Sequence, residues 1–377
     1  MAPRLSHALW LAAALALLNG CGSTPGLKPA ELTEFKATAV LKPLWEGGVA
    51  SAEKYIFFPR VDGNVVYAVG AEGSVTAFDK ARGTETAHAS AEERVSGGVG
   101  IGGGLVLLGT PRGRVLAFDR EGKPLWQTQL TSEVLAPPEA QEGIVVARTG
   151  DGRIYGLDAA TGKNRWVYQR STPSLSVRSH AGVVITQGGV FAGFPGGRLV
   201  ALALTNGNIG WEGVVALPRG TTELERVADV TSLPVVDGKQ VCAAAFQGRV
   251  ACFEGSRGTL LWARDVSSIA GIATDARHLY VTDDRGAVQA LDKSSGASIW
   301  RQDKLAGRNV SGPLALGRHV VVGDFEGYVH LISREDGAFA ARIETDGSAI
   351  LAAPVALDAT SFLVQTRSGG IYAFTVQ

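Results

Sequence analysis

The stretch Gly286-Ala-Val-Gln-Ala-Leu-Asp292-Lys-Ser-Ser-Gly296-Ala-Ser-Ile-Trp300 is one copy of a frame that runs the length of the chain. It reads as strand, turn, strand. Val288 and Ala290 alternate with Gln289 and Leu291 as on a pleated strand, Asp292 can close an Asx-type turn, and Gly296 supplies the positive φ the turn needs. Trp300 opens the next strand and would cover roughly 150–250 Å² of apolar surface. One small sheet offers nothing for that indole to cover, so each copy needs a neighbour.

The frame begins at Gly73, Gly113, Gly152, Gly197, Gly248, Gly286, Gly327 and Gly369, in steps of 40, 39, 45, 51, 38, 41 and 42 residues. Its Asp position holds Asp79, Asp119, Asp158, Ala203, Glu254, Asp292, Ser333 and Thr375. Its Trp position holds Ala87, Trp126, Trp166, Trp211, Trp262, Trp300 and Ala341, and the eighth copy reaches Gln377 before that position. Pro43-Leu-Trp45 stands ahead of the first copy without a partner, placed to supply the outermost strand of the last. Short runs rich in Val, Ile and aromatic residues, separated by Gly-containing turns, predict four strands per copy and no helix of consequence. The expected fold is all-β: an eight-bladed β-propeller of four-stranded antiparallel blades, spanning residues 41–377 and closed by its N-terminal strand. Closure removes exposed sheet edges, which favours a ring over a solenoid or two smaller propellers.

Ahead of the ring, residues 1–20 carry Arg4, an apolar run from Ala8 to Leu18, and then Asn19-Gly20-Cys21. An apolar core of that length is too short to span a bilayer and reads as a signal segment. The Leu18-Asn-Gly-Cys21 ending resembles a bacterial lipoprotein signal, which implies lipidation of Cys21, and Gly22 in place of Asp implies the outer membrane. Residues 21–40 contain Pro25, Gly26 and Pro29 with little periodicity and are expected to be a flexible tether, with a helical turn at most over 30–36. Such a tether would span roughly 25 Å on average.

Charge excludes some functions. Lys plus Arg and Asp plus Glu both number 36, so no basic surplus points to nucleic acid. The six His are scattered, and Asp283-Asp284 reads as a solvated turn rather than an acid–base or metal pair. Gly98-Val-Gly-Ile-Gly-Gly103 has the letters of a dinucleotide loop, but a strand, Leu105–Leu108, follows where a helix would be needed, so it is expected to be a glycine-rich turn. Cys242 and Cys252 flank a hairpin symmetrically. They are expected either to bridge across the strand pair or to serve as two small core residues.

The pattern Gly156-Leu-Asp158-Ala-Ala-Thr-Gly162-Lys-Asn-Arg-Trp166, repeated at Ala290–Trp300, resembles that of quinoprotein-type propellers. With the Cys21 signal, the tether and eight copies, the whole chain resembles the BamB family of outer-membrane protein assembly lipoproteins. Pro173-Ser-Leu-Ser-Val-Arg178 and Thr221-Thr-Glu-Leu-Glu-Arg-Val-Ala-Asp229-Val resemble that family's signature loops. The resemblance implies a scaffold on the periplasmic face of the outer membrane, held there by its lipid, with no enzymatic activity and no cofactor. Implied partners are the periplasmic domains of the barrel-assembly protein BamA, other machinery components and unfolded outer-membrane proteins. The quinoprotein dehydrogenases sharing the repeat use a vicinal Cys–Cys pair and Ca²⁺, and this chain has no adjacent cysteines. A periplasmic propeller that binds or acts on a small ligand is the alternative.

The two loops are the expected partner site. Both join the outer strand of one blade to the inner strand of the next, at the 3/4 and 4/5 boundaries, and the second holds the insertion behind the 51-residue step. Leu175 and Val177 offer apolar anchors, Arg178 a planar donor and Asp229 an acceptor, with Glu225 and Arg226 on the rim. Thr231 stands where the family pattern has a second Asp. Alternatively, Arg178 and Asp229 pair with each other and merely pin the loops.

Overall fold

A computed structural model describes residues 28–377. Eight four-stranded antiparallel sheets follow one another as blades, over residues 60–90, 97–129, 139–169, 183–214, 235–264, 271–302, 314–344 and 355–376. In each, chain order runs from the inner strand to the outer one, except that the eighth blade takes its outer strand, Leu41–Gly48, from the start of the chain. Leu41 pairs with Val376 and Gly48 with Gly370, so the expected eight-bladed ring and its closure by the Trp45 strand are both present.

The repeated Trp explains how the blades hold together. The indole N–H of Trp166 donates to the Leu204 carbonyl of the next blade at 2.8 Å, and Trp45, Trp126, Trp211, Trp262 and Trp300 do the same to Lys80, Ala159, Gly255, Lys293 and Arg334. Each acceptor follows the frame's Asp position by one residue. The ring then lies on the turn glycine: a Cβ at Gly296, where φ is +72°, would sit 2.4 Å from Trp262. Gly is therefore required twice over, by backbone conformation and by the indole above it. Asp292 closes that turn by accepting the N–H groups of Ser294 and Ser295 at 3.1 and 2.9 Å.

Two seams lack the indole. Blade 1 has Ala87 and blade 7 has Ala341, and the eighth blade has no closing turn for an indole to cover, because its outer strand is Leu41–Gly48 rather than a continuation of the strand before it. That gap is filled by residues expected to be tether. The N–H groups of Thr38 and Ala39 donate to Ala340, Phe35 packs on Phe339 at 5.5 Å, and Arg342 lies over Phe35. Farther up, Ala30 donates to Ala306 and accepts from Arg308. Residues 28–40 thus form an extended strap along blade 7 without a helical turn, and the expectation of a free tether does not hold for them. Cys21 lies outside the described residues.

Two other expectations change. Gly97–Gly102 is the inner strand of blade 2, and only Gly103 and Gly104 form the turn. Glycine is needed there for close approach, since a Cβ at Gly100 would meet the Pro138 carbonyl at 1.8 Å. Asp283 is buried rather than solvated: it accepts from the Ala287 N–H at 2.8 Å and pairs with Arg301 at 2.9 Å, whereas Asp284 is exposed. Cys242 and Cys252 sit directly opposite one another on adjacent strands of blade 5, Cα atoms 4.0 Å apart and sulfurs bonded.

Candidate functional site

The connections from outer to inner strands and the turns between second and third strands share one face, as shown by the Gly150 N–H of a blade 3 turn donating to Glu133 in the connection leading into that blade. This face surrounds the mouth of a central channel of about 730 Å³. Residues 170–182 and 215–234, the connections into blades 4 and 5, stand on its rim.

Asp229 organises them. It is 2% exposed, and its two carboxylate oxygens accept the N–H of Val177 at 2.7 Å and of Gly196 at 2.9 Å. One buried side chain thereby fixes the first loop, a turn of blade 4 and its own loop. Leaving such backbone donors without an acceptor would cost about 1–3 kcal/mol each. The insertion closes on itself as well. Thr222 Oγ1 accepts the Glu225 N–H at 3.2 Å, while the Glu225 carboxylate accepts the N–H groups of Thr221 and Thr222 at 2.8 and 3.1 Å. This reciprocal capping draws Glu225 down to about 2 through the backbone N–H groups it accepts. The Gln247 amide, turned nitrogen-inward, places its two N–H donors among the carbonyls of Leu224, Glu225 and Val227.

Arg178 and Asp229 do not pair with each other. Arg178 makes a bidentate ion pair with Glu133, Nε to Oε1 at 2.9 Å and Nη2 to Oε2 at 2.6 Å. The hydrogen bond from Arg178 holds the Glu133 carboxyl below the usual glutamate value. The guanidinium stays half exposed and held flat, ready for a second acceptor. Leu175 is exposed, Val177 is half buried, and Arg226 is exposed without a side-chain partner among the described residues. Thr231 is buried, its hydroxyl near the Ser268 carbonyl at 3.4 Å, so that position belongs to the interior.

Sequence reasoning brought these loops together but missed Glu133, Leu217, Leu224 and Ile269. Leu217, Leu224 and Ile269 are exposed apolar side chains on connections of the same face, and the first two lie in the insertion, where apolar residues amid turn formers were the available signal. Glu133 lies 45 residues from Arg178, and no local pattern links them.

Within the channel, Arg60 and Glu139 form an ion pair, and His180 is pushed down to about 4, chiefly by burial and then by the Arg178 charge. Among the described residues no three His, Cys, Asp or Glu side chains come together as a metal site. No helix among them is long and apolar enough to cross a membrane.

A family described as outer membrane protein assembly factor BamB matches residues 71–302. The chain is 48% identical over 349 residues to the outer membrane protein assembly factor BamB of Nitrosomonas eutropha, covering 92% of this chain and 85% of that one. The crystal structure of BamB from Moraxella catarrhalis superposes with a TM-score of 0.82 at 26% identity, over 89% of this chain and 100% of that one. The quinohemoprotein alcohol dehydrogenase of Comamonas testosteroni shares only the fold, at 14% identity and a TM-score of 0.71 over 89% of this chain and 76% of that one. In sequence and in blade architecture alike, the chain belongs to the BamB family of outer membrane protein assembly factors.

Proposed function

We propose that this protein is a non-catalytic scaffold of the outer-membrane β-barrel assembly machinery, anchored through Cys21 and docking the periplasmic domains of BamA on the rim at blades 3–5. The observation that carries the reading is the joined pair of loops. Asp229 locks them into one preorganised surface, with Leu175 and Arg178 exposed on one loop and Leu217 and Leu224 exposed on the other. Preorganisation lowers the ordering cost of association, and a planar, ion-paired guanidinium together with exposed apolar side chains on joined loops is the composition of a hot spot. Such a surface supports insertion of outer-membrane proteins by holding components in place; it needs no reacting group. Other machinery components and unfolded outer-membrane proteins are further partners of the same scaffold.

The test is purification of the tagged chain from detergent-extracted outer membranes, beside Cys21→Ala. The native chain brings BamA with it from the membrane fraction. Cys21→Ala moves to the soluble periplasmic fraction, still folded. Purification without BamA, or membrane retention of Cys21→Ala, would contradict the docking or the anchoring half of the proposal respectively.

A further inference from the structure

Beneath the first loop lies a crevice of about 280 Å³, walled by Glu133, Thr172, Ser176, Val177, Arg178 and Asp229 and floored by Arg148. Arg148 ends the second strand of blade 3, Ile144–Arg148, where the pleat turns its side chain into the space between blades 3 and 4. Its guanidinium lies 5.0 Å from the centre of the Phe194 ring and donates from Nη1 to the Ala181 carbonyl at 3.1 Å.

The hydrogen-bond ledger of this crevice is one-sided. Both Glu133 oxygens receive Arg178, and both Asp229 oxygens receive backbone N–H groups. Every carboxylate oxygen in the crevice is therefore already engaged. Arg148 has five N–H donors and uses one of them among the described residues. Asp229 acts on it through space but makes no ion-pair contact with it. Burial lowers the Arg148 pKa to about 10, with Asp229 opposing, so the half-buried group stays charged at neutral pH. A half-buried cation with free donors, beside carboxylates whose oxygens each already accept a hydrogen bond, is complementary to an incoming acceptor, and a guanidinium's fork suits a carboxylate.

We propose that this crevice receives a carboxylate side chain of the docked polypeptide, with Arg148 as the residue that selects it. The proposal rests on the rim being the docking surface, and adds a second, recessed point of recognition beside the exposed Leu175 and Arg178. Because Arg148 is held by blade 3 while the walls come from the connections into blades 3, 4 and 5, an inserted side chain would bridge three blades at once. Selection follows from the same geometry. An amide or apolar side chain in that place would shut solvent away from the guanidinium without supplying a charge partner, so discrimination comes from the penalty as well as from the bond.

The experiment measures the affinity of the full lipoprotein in detergent for full-length BamA, using native protein, Arg148→Met, Arg148→Lys and Arg178→Ala. Arg148→Met is expected to bind at least tenfold more weakly with an unchanged melting temperature, and Arg148→Lys to recover part of the loss. In parallel, Asp and Glu residues of the BamA periplasmic domains are changed singly to Asn and Gln and tested against the native propeller. One of them should weaken binding tenfold, and should have no effect once Arg148 is Met. If Arg178→Ala weakens binding but Arg148→Met does not, the crevice proposal is overturned while the docking surface stands. If neither variant weakens binding, the docking surface itself is wrong. Failure of every BamA carboxylate substitution to weaken native binding overturns the proposal even where Arg148→Met does not fold.

Discussion

The seam between blades 7 and 8 and the boundaries around blade 4 both depart from the repeat, in opposite ways. At 7/8 the inter-blade lock is missing: Ala341 replaces the indole, no closing turn follows, and the strap of residues 28–40 covers the gap through Phe35, Thr38 and Ala39. Around blade 4 the lock is complete, with Trp166 on Gly207 and Trp211 on Gly258, and the departure lies in the connections above it. The first departure repairs the ring where its first and last strands meet. The second adds a surface to a ring that needs no repair, and the contrast separates length that serves closure from length that closure does not require.

The contrast breaks most visibly under deletion. Removing residues 41–48 takes away the outer strand of blade 8 and the Trp45 lock on blade 1, and is expected to cost more than the roughly 3–5 kcal/mol typical of losing a large buried aromatic. Removing residues 28–39 takes away only the strap, at about 1–3 kcal/mol for its buried apolar area. Thermal melts decide between them, and equal losses would mean that Trp45 does not close the ring. Next in size, Trp166→Ala should cost about 3–5 kcal/mol, whereas Ala341→Gly, at the same frame position in an unlocked seam, should cost about 1 kcal/mol or less. Similar losses would show that the indole is no lock.

Smaller again is the cross-strand pair of blade 5. We propose that Cys242 and Cys252 remain bonded in the oxidising periplasm. The double change to Ala should then cost about 2–3 kcal/mol for a closure of sequence separation 10, leaving BamA affinity unchanged. Alkylation before and after reduction, read by mass spectrometry, checks it, and two thiols free before reduction would contradict it.

The smallest effect is a pH dependence confined to the rim. Glu133 has its folded value below its unfolded one because Arg178 hydrogen-bonds its charged form. Its contribution is therefore fully present above the unfolded value of about 4.3 and is lost as pH falls through the folded one. The pair is partly exposed, so the loss should be under about 1 kcal/mol. Native protein minus Arg178→Ala, compared in denaturant melts from pH 7 to pH 3, isolates it. A difference that appears already between pH 7 and pH 5 would point to another group.

The fold was legible because its signal repeats: Asp, Gly and Trp at fixed spacing state both the turn and what lies on it. The Trp45 closure was legible as an unpaired strand. The strap was not, because Phe35 and Leu32 look like isolated apolar residues until blade 7 is beside them. Nor was the inner strand Gly97–Gly102, whose glycines answer to the Pro138 and Ala140 carbonyls of the next blade and not to their own segment. At the site, the loops and Asp229 were visible as a long connection. The partner of Arg178 was not, since Glu133 enters from a different connection.

Affinity between the propeller and the BamA periplasmic domains tests most directly whether the rim at blades 3–5 docks BamA. Three variants suffice: Leu175→Asp and Arg178→Ala on the rim, and Leu44→Asp on the exposed outer strand that closes the ring. Each rim change should weaken binding by more than about 1 kcal/mol, with melting temperatures within a few degrees of native, while Leu44→Asp binds as the native protein does. Native affinity in both rim variants, or an equal loss in Leu44→Asp, would contradict the assignment.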